Sequence, residues 1–286
     1  MAYLCGMNCE SIVLVGAGRL ATCLGRALHE AGLSIRQVYS RTEASACALA
    51  DALGCEATTD IDRILTDEQI AAEGACDARP TCLYITALTD NALLELIPRL
   101  TCGRTAGLWV HTAGSVPMDV WQRGGVERYG VVYPMQTFSR ERRVDFSRIP
   151  IFIEGCTPEV TDCLRVLAGR LSTRVIEANT EQRRSLHLAA VFTCNFANHV
   201  YDLADRLLQR CGLPFDVMLP LIDETAAKVH TLSPRQAQTG PAVRYDTAVI
   251  DAHLQMLADD PQMQAIYRLL TDSIHRASQM DPSCAR

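Results

Sequence analysis

Gly16, Gly18 and Ala21 stand at G-x-G-x-x-A spacing directly behind the apolar run Ser-Ile-Val-Leu-Val at 11–15. A strand that runs into such a turn and then into a helix makes a seat for a dinucleotide pyrophosphate. Gly16 permits the tight turn, Gly18 lets the phosphates approach the backbone, and small Ala21 lets helix and strand pack closely. The stretch Gly16-Ala17-Gly18-Arg19-Leu20-Ala21 opens a helix whose first N–H groups and dipole favour an anion. About twenty residues on, a site for a cofactor without a 2′-phosphate usually carries an Asp or Glu that bonds the ribose hydroxyls. Ser40, Arg41 and Thr42 hold that place here, one cation between two hydroxyls. A carboxylate repels a 2′-phosphate and this trio attracts it, which points to NADP rather than NAD. Glu43, just behind, is the residue that opposes that assignment. Glycine turns after strands are common; the amphipathic run Leu20, Leu24, Ala27, Leu28, Ala31, closed by Gly32, narrows this one to nucleotide binding.

Three further groups of side chains can do chemistry. His187, Val191, Asn195 and His199 recur every fourth residue and make a partly polar stripe on one helix. Its plainer uses are hydrogen-bonded core histidines or a subunit contact. Its catalytic use is His187 as general acid, because imidazole titrates near neutrality, with Asn195 orienting a substrate. Twelve residues of helix put His187 and His199 roughly 18 Å apart, so they share no metal, and no metal site is expected. His111-Thr-Ala-Gly-Ser115 follows a strand, at the sheet edge where ligands of open α/β sheets gather. His111 and Ser115 are candidates there, although a serine in that place more often caps a helix. Thr86-Ala87-Leu88-Thr89-Asp90 has the same position, its backbone at Ala87 and Leu88 passing the cofactor and Asp90 capping a helix. Tyr133, Gln136 and Thr137 come next along the edge, with Gln136 and Thr137 placed to touch nicotinamide or substrate. Arg244 either pairs with Asp246 or grips a substrate carboxylate bidentately. Lys228 is the only lysine; it makes a surface pair with Glu224 one turn earlier or, if buried, a second proton donor.

These residues need a scaffold, and the chain supplies alternating signals for one. Strand-like runs at 35–39, 55–57, 82–86, 107–111, 130–133, 150–154 and 173–177 follow the first strand. Helical patterns at 18–31, 42–53, 90–100 and 157–171 lie among them. The order predicts an α/β fold, a doubly wound, mostly parallel sheet with helices on both faces. Segment 60–80, polar and Ala-rich, has no clear assignment. Residues 181–211 lack Pro and Gly, Asn179 or Thr180 can cap their start, Gly212 can end them, and Pro214 forbids continuation. That predicts one helix of roughly 45 Å. Three more helical patterns follow, at about 214–231, 245–258 and 262–278. The expected domains are a nucleotide-binding one over 1–178 and an all-helical one over 179–286, for substrate and dimerisation.

With 286 residues, 48% hydrophobic and 21% charged, the chain has material for two cores. A net charge of −6 leaves no basic face for nucleic acid. No apolar run is long enough to span a membrane, and no leader pattern begins the chain. Thirteen scattered cysteines, odd in number and without C-x-x-C, point to free thiols and a cytoplasmic setting. Cys23, Cys47, Cys163 and Cys194 are expected as small buried hydrophobes.

Taken together, His111-Thr-Ala-Gly-Ser115, Tyr133-Pro-Met-Gln-Thr-Phe-Ser139, His187 with Asn195-Phe-Ala-Asn-His199, and Thr239-Gly-Pro-Ala-Val-Arg-Tyr-Asp246 carry a resemblance over nearly the full length. The chain resembles the oxidoreductases that join a Rossmann-like domain to a helical domain of unknown function (number 2520), within the broad 6-phosphogluconate dehydrogenase-like superfamily. That resemblance implies a Rossmann fold, an NADP cofactor and a helical second domain. It departs from the β-hydroxyacid dehydrogenases of that superfamily, which place a catalytic lysine on the first long helix of the second domain; this helix has none. The leading expectation is NADPH-dependent reduction of a small carbonyl or imine in a cleft between the domains of a homodimer. A non-catalytic NADP(H)-binding sensor or assembly protein is the second reading. Hydride exchange between NADP and a deazaflavin is the third, and 6% aromatic residues give it no help.

Overall fold

A computed structural model describes residues 11–72 and 82–280. In chain order the strands are β1 (Ser11–Val15), β2 (Ser34–Tyr39), β3 (Glu56–Thr58), β4 (Cys82–Thr86), β5 (Leu108–His111), β6 (Arg128–Pro134), β7 (Ile151–Gly155) and β8 (Val175–Glu177). Among them lie the helices α1 (Arg19–Glu30), α2 (Glu43–Leu53), α3 (Asp67–Ala72), α4 (Asp90–Thr101) and α5 (Pro158–Gly169). After β8 come α6 (Thr180–Ala190), a π-helical segment (Val191–Phe196), α7 (Ala197–Arg210), α8 (Leu219–Lys228), α9 (Pro234–Ala237), α10 (Pro241–Arg244), α11 (Thr247–Met256) and α12 (Pro261–Gln279). Contacts divide the chain between Cys194 and Asn195, inside the helical run whose start the sequence places at residue 179.

In the first unit the eight strands form one sheet in the order β3-β2-β1-β4-β5-β6-β7-β8. Every pairing is parallel except β6 with β7, where Val132 lies opposite Ile153. Strand parity builds two cores, since alternate residues face opposite sides of a sheet. Ile12, Leu14, Leu83, Ile85, Leu108 and Val110 join α1, α2 and α5 on one face. Val13, Val15, Tyr84 and Trp109 join α4, Ile70 of α3 and Trp121 on the other. Helices on both faces are the doubly wound arrangement. Tyr84 and Trp109 stack with centroids 4.2 Å apart, which gives the second face its largest apolar block.

The unassigned segment becomes a 3₁₀ turn at Ile61–Arg63 and then α3, with 73–81 outside the described residues. Buried Ile61, Ile64 and Ile70 hold it, too few and too widely spaced to show a period. Of the cysteines expected as buried, Cys23 and Cys163 are; Cys47 and Cys194 are only half-buried. All nine described cysteines are free thiols.

The expected uninterrupted helix over 181–211 is helical from Thr180 to Arg210, but Val191–Phe196 is π-helical. One turn of i→i+5 bonding breaks the every-fourth-residue spacing between His187 and Asn195. Asn179 caps the start through a capping box with Gln182, and Gly212, at φ +69°, follows the end. The second unit is wholly helical among the described residues. Its one-turn helices α9 and α10 were not legible as periods, because four residues display none; each opens on a proline. Leu203, Leu257 and Met263 make its small core.

What ties α6 to the sheet is polar. Arg183, 1% exposed, donates to Glu154 Oε2 of β7 (3.2 Å) and to the Val116 carbonyl (2.7 Å), while Glu154 also accepts from the Thr180 N–H (2.9 Å). A buried guanidinium without its carboxylate is a large penalty. Glu154→Gln is therefore expected to lower unfolding free energy in urea by about 3 kcal/mol. A loss below about 1 kcal/mol would show that water already screens the pair.

Candidate active site

The glycine turn has the geometry the sequence expects. Gly16, at φ +121°, lies so close to the next strand's loop that a Cβ there would stand 2.5 Å from the Ala87 carbonyl oxygen. Gly18 differs: a Cβ on it would meet nothing within 4 Å. It is the N-cap of α1, and no side chain caps the first N–H groups. Open space in front of uncapped amides fits a pyrophosphate. Ala21 is fully buried against the sheet, and a Cβ on Gly25 one turn later would stand 2.9 Å from Leu14 Cδ1, so α1 packs hard on β1. Arg140 closes the turn from the side, donating to the Ala17 carbonyl (2.8 Å). Arg19 and Leu20 begin the helix, and Ala87 binds the strand through its N–H to the Val15 carbonyl (2.8 Å), carrying Leu88 beside the turn.

At the end of β2, Ser40 is partly exposed and Arg41 and Thr42 are exposed. Thr42 is the N-cap of α2, yet its hydroxyl makes no capping bond, and Arg41 forms no ion pair among the described residues. Two hydroxyls and a guanidinium thus remain available at the place where an adenine ribose would end.

The next strand ends bring a second group together. Thr112 binds back to the Thr86 carbonyl through its N–H (3.1 Å) and its hydroxyl (3.2 Å). His187 packs against Gly114, where a Cβ would stand 2.7 Å from Nδ1. Tyr133 Oη lies 3.2 Å from the same Nδ1 and 3.7 Å from Met135 Sδ. Burial pushes the Tyr133 phenol above its usual range, partly offset by the Arg183 charge. A phenol that keeps its proton is both donor and acceptor, so it can hold Nδ1 in either tautomer of the ring and leaves Nε2 free of that contact. Tyr133, read from the sequence only as next along the edge, is thus the residue that meets His187.

His111, expected at the ligand-gathering edge, does not face solvent. It is fully buried, in phase with Trp109 toward the second core. Its Nδ1 accepts from the Ala113 N–H (3.2 Å), and its Nε2 lies 3.4 Å from the Pro117 carbonyl. Burial, then the Arg183 charge, lowers it to about 3, so the ring stays neutral and shapes the loop. Ser115 caps no helix, since Pro117 is the residue before the following 3₁₀ turn. Its hydroxyl donates instead to the Asp90 carboxylate, while its carbonyl accepts from Arg184 Nε (3.0 Å). Asp90 itself is the first residue of α4, whose N-cap is Thr89. Gln136 and Thr137 are exposed, the Gln136 side chain accepting from the Thr137 N–H (2.8 Å).

The remaining candidates lie in the second unit. Asn195 and His199 are exposed, in the π-helical segment and on α7. Lys228 ends α8 and pairs with Glu224 at 4.0 Å, the surface alternative of its two readings. Arg244 ends α10 without pairing to Asp246, whose carboxylate caps α11 through the Val249 N–H (3.5 Å).

Comparison with known proteins places this geometry. The model of a domain of unknown function, DUF2520, matches residues 149–274. A Bacteroides fragilis structure described as a putative NADP oxidoreductase is 54% identical over 95% of this chain and 99% of its own, with a TM-score of 0.85. A Thermotoga maritima protein, TM1727, is 19% identical over 94% of this chain and 100% of its own, with a TM-score of 0.74. A Streptomyces aurantiacus imine reductase shares the fold at 15% identity, covering 93% and 94% of the two chains, with a TM-score of 0.61. No curated protein matches. Among the described residues, no helix is long and apolar enough to cross a membrane.

The open space at Gly18 gives a direct test. Gly18→Val puts a side chain into that space, where its Cβ meets no protein atom, so dinucleotide binding measured by calorimetry should disappear while the thermal midpoint stays within a few degrees. Retained affinity would remove the turn from the binding site.

Proposed function

The chain belongs to the same family as the Bacteroides fragilis protein, and we propose that it is an NAD(P)-dependent oxidoreductase that uses NADPH to reduce a small carbonyl or imine compound. The observation that carries the reading is the Tyr133–His187 pair on Gly114, at the same carboxyl edge of one sheet as the uncapped glycine turn. The nicotinamide, when bound, supplies the hydride. The chain supplies position and a proton. His187 Nε2 gives its hydrogen to the oxygen or nitrogen that gains electrons. Tyr133 Oη holds the ring through its hydrogen bond to Nδ1, and solvent restores the proton to Nε2. His111 and Ser115 act in this account by shaping the loop under His187. Gln136 and Thr137 are assigned to the substrate. Lys228 is left as a surface pair.

NADPH is favoured over NADH because Ser40, Arg41 and Thr42 offer a 2′-phosphate two hydroxyls and a guanidinium where a carboxylate would otherwise accept ribose hydroxyls. A homodimer is proposed from the second unit, whose helices leave Val200, Leu207, Val217, Leu219, Leu221 and Leu269 exposed. So many exposed large apolar side chains on a small helical unit favour burial against a second copy.

Three measurements check these readings. NADPH should bind at least tenfold more tightly than NADH, about 1.4 kcal/mol, and Arg41→Ala should erase most of that ratio; an unchanged ratio refutes the assignment. Against a panel of cyclic imines and 2-oxo acids, His187→Ala should lower kcat by roughly 10²–10⁴-fold with NADPH affinity unchanged, and Tyr133→Phe should lower it less while altering the pH profile. Full turnover in His187→Ala would contradict the proton assignment. Light scattering should give about twice the 31.4 kDa chain mass; a monomeric mass at micromolar concentration would refute the dimer.

A further inference from the structure

Between β6 and β7 the chain makes a long excursion, Met135–Pro150, that runs back along α1. Two of its arginines are spent holding it there. Arg140 donates to the Ala17 carbonyl (2.8 Å), and Arg143 pairs with Glu30 at the far end of α1 (2.8 Å). Cys23 Sγ donates to the Ser139 carbonyl (3.4 Å) and Arg26 to the Arg140 carbonyl (3.4 Å), which fixes the middle. Beside this tethered loop is a cavity of about 730 Å³. Arg19, Arg142 and Arg148 line it together with Gln136, Thr137 and Ser139. None of these three arginines forms an ion pair among the described residues. Asp145 is the one carboxylate on the wall, and the Ser147 hydroxyl (2.6 Å) and N–H (3.0 Å) already engage it. Those bonds, with a smaller contribution from the Arg148 charge, hold its carboxyl below the usual range.

The charge count is informative in a chain whose net charge is −6. Arg143 is neutralised by Glu30. Three cations against one carboxylate leave two positive charges facing one cavity, with hydroxyl and amide groups around them. That is the complement of a dianion, and guanidinium groups grip phosphate oxygens in pairs. A single carboxylate would leave one of the charges unmatched. We propose that this cavity is a phosphate-binding site, taking a phosphomonoester group of a small molecule or inorganic phosphate itself, and that it is separate from the seat of the dinucleotide. Arg19 is its boundary with that seat, because its backbone opens α1 while its side chain lines the cavity. A phosphate held there lies on the loop that carries Gln136 and Thr137, so a phosphorylated substrate can be anchored by one end while its other end reaches the sheet edge.

The proposal goes beyond the reductase reading and is tested apart from it. Inorganic phosphate is titrated calorimetrically at fixed ionic strength into the full-length protein, alone and saturated with NADP⁺. Glycerol 3-phosphate is compared with glycerol as the phosphomonoester arm. Binding of phosphate or glycerol 3-phosphate, not glycerol, is expected, with a Kd unchanged by NADP⁺. The Arg142→Ala, Arg148→Ala double variant should weaken it at least tenfold, whereas Arg165→Ala on α5, outside the cavity, should not. Both removed side chains are exposed and form no ion pair among the described residues, so the variant keeps its fold, which a thermal melt verifies. Preference for glycerol 3-phosphate would assign the site to a substrate, and equal affinity to free phosphate as ligand. Loss of binding on adding NADP⁺ would overturn the proposal, because the phosphate would then occupy the pyrophosphate seat. An unchanged Kd in the double variant, or no binding of either probe, would also overturn it. Failure of NADP⁺ itself to bind would refute the reductase reading, and the titration without cofactor would still decide the cavity.

Discussion

A guanidinium taken out of water has to be answered where it lies, and Arg183 is answered from three directions. Glu154 reaches it from β7, the Val116 carbonyl from the loop after β5, and the Thr180 hydroxyl from its own helix. The bonds therefore locate α6 against two separated parts of the sheet, and a slip of the helix along either would leave a buried charge unpaired. His187 is one turn further along the same helix face, so its place follows from that of Arg183. The ring then needs a neighbour without a side chain, which Gly114 supplies, and a partner for Nδ1, which Tyr133 supplies. Each condition is met by a residue on a different element. The placement of the Tyr133–His187 pair is in this sense a consequence of one ion pair.

The cofactor end depends on different physics. There the requirement is absence: no Cβ at Gly16, where the Ala87 carbonyl approaches, and no cap on α1. The two glycines are not equivalent. One is required by the protein's own packing and by its positive φ, the other only by what must approach from outside. This distinction separates a residue whose loss damages the fold from one whose loss damages binding alone.

The fold was legible because strands buried on both faces read as apolar runs and amphipathic helices read as a period. The glycine turn was legible because its chemistry lies in spacing along the chain. The Tyr133–His187 and Glu154–Arg183 pairs were not, because their partners are 54 and 29 residues apart and meet only when β6, β7 and α6 have assembled. His111 was read as a candidate at the sheet edge, although a signal of its burial was available. It lies two residues from Trp109 on one strand, and the same parity that buries the indole buries the imidazole. Ser115 was weighed as a cap, but its hydroxyl found a carboxylate from the preceding strand–helix unit, a contact no local pattern contains. The π-helical segment left no trace in the hydrophobic pattern, since both flanking helices keep their own period.

The central claim is that the glycine turn and the Tyr133–His187 pair serve one bound dinucleotide. A crystal structure of the protein with NADP⁺ tests it most directly. The account predicts the pyrophosphate on the N–H groups that open α1, the 2′-phosphate at Arg41, and the nicotinamide ring on the His187 side, with space beside C4 for a substrate atom within hydrogen-bonding reach of Nε2. A nicotinamide directed away from His187, or a dinucleotide seated elsewhere than on the turn, would contradict it.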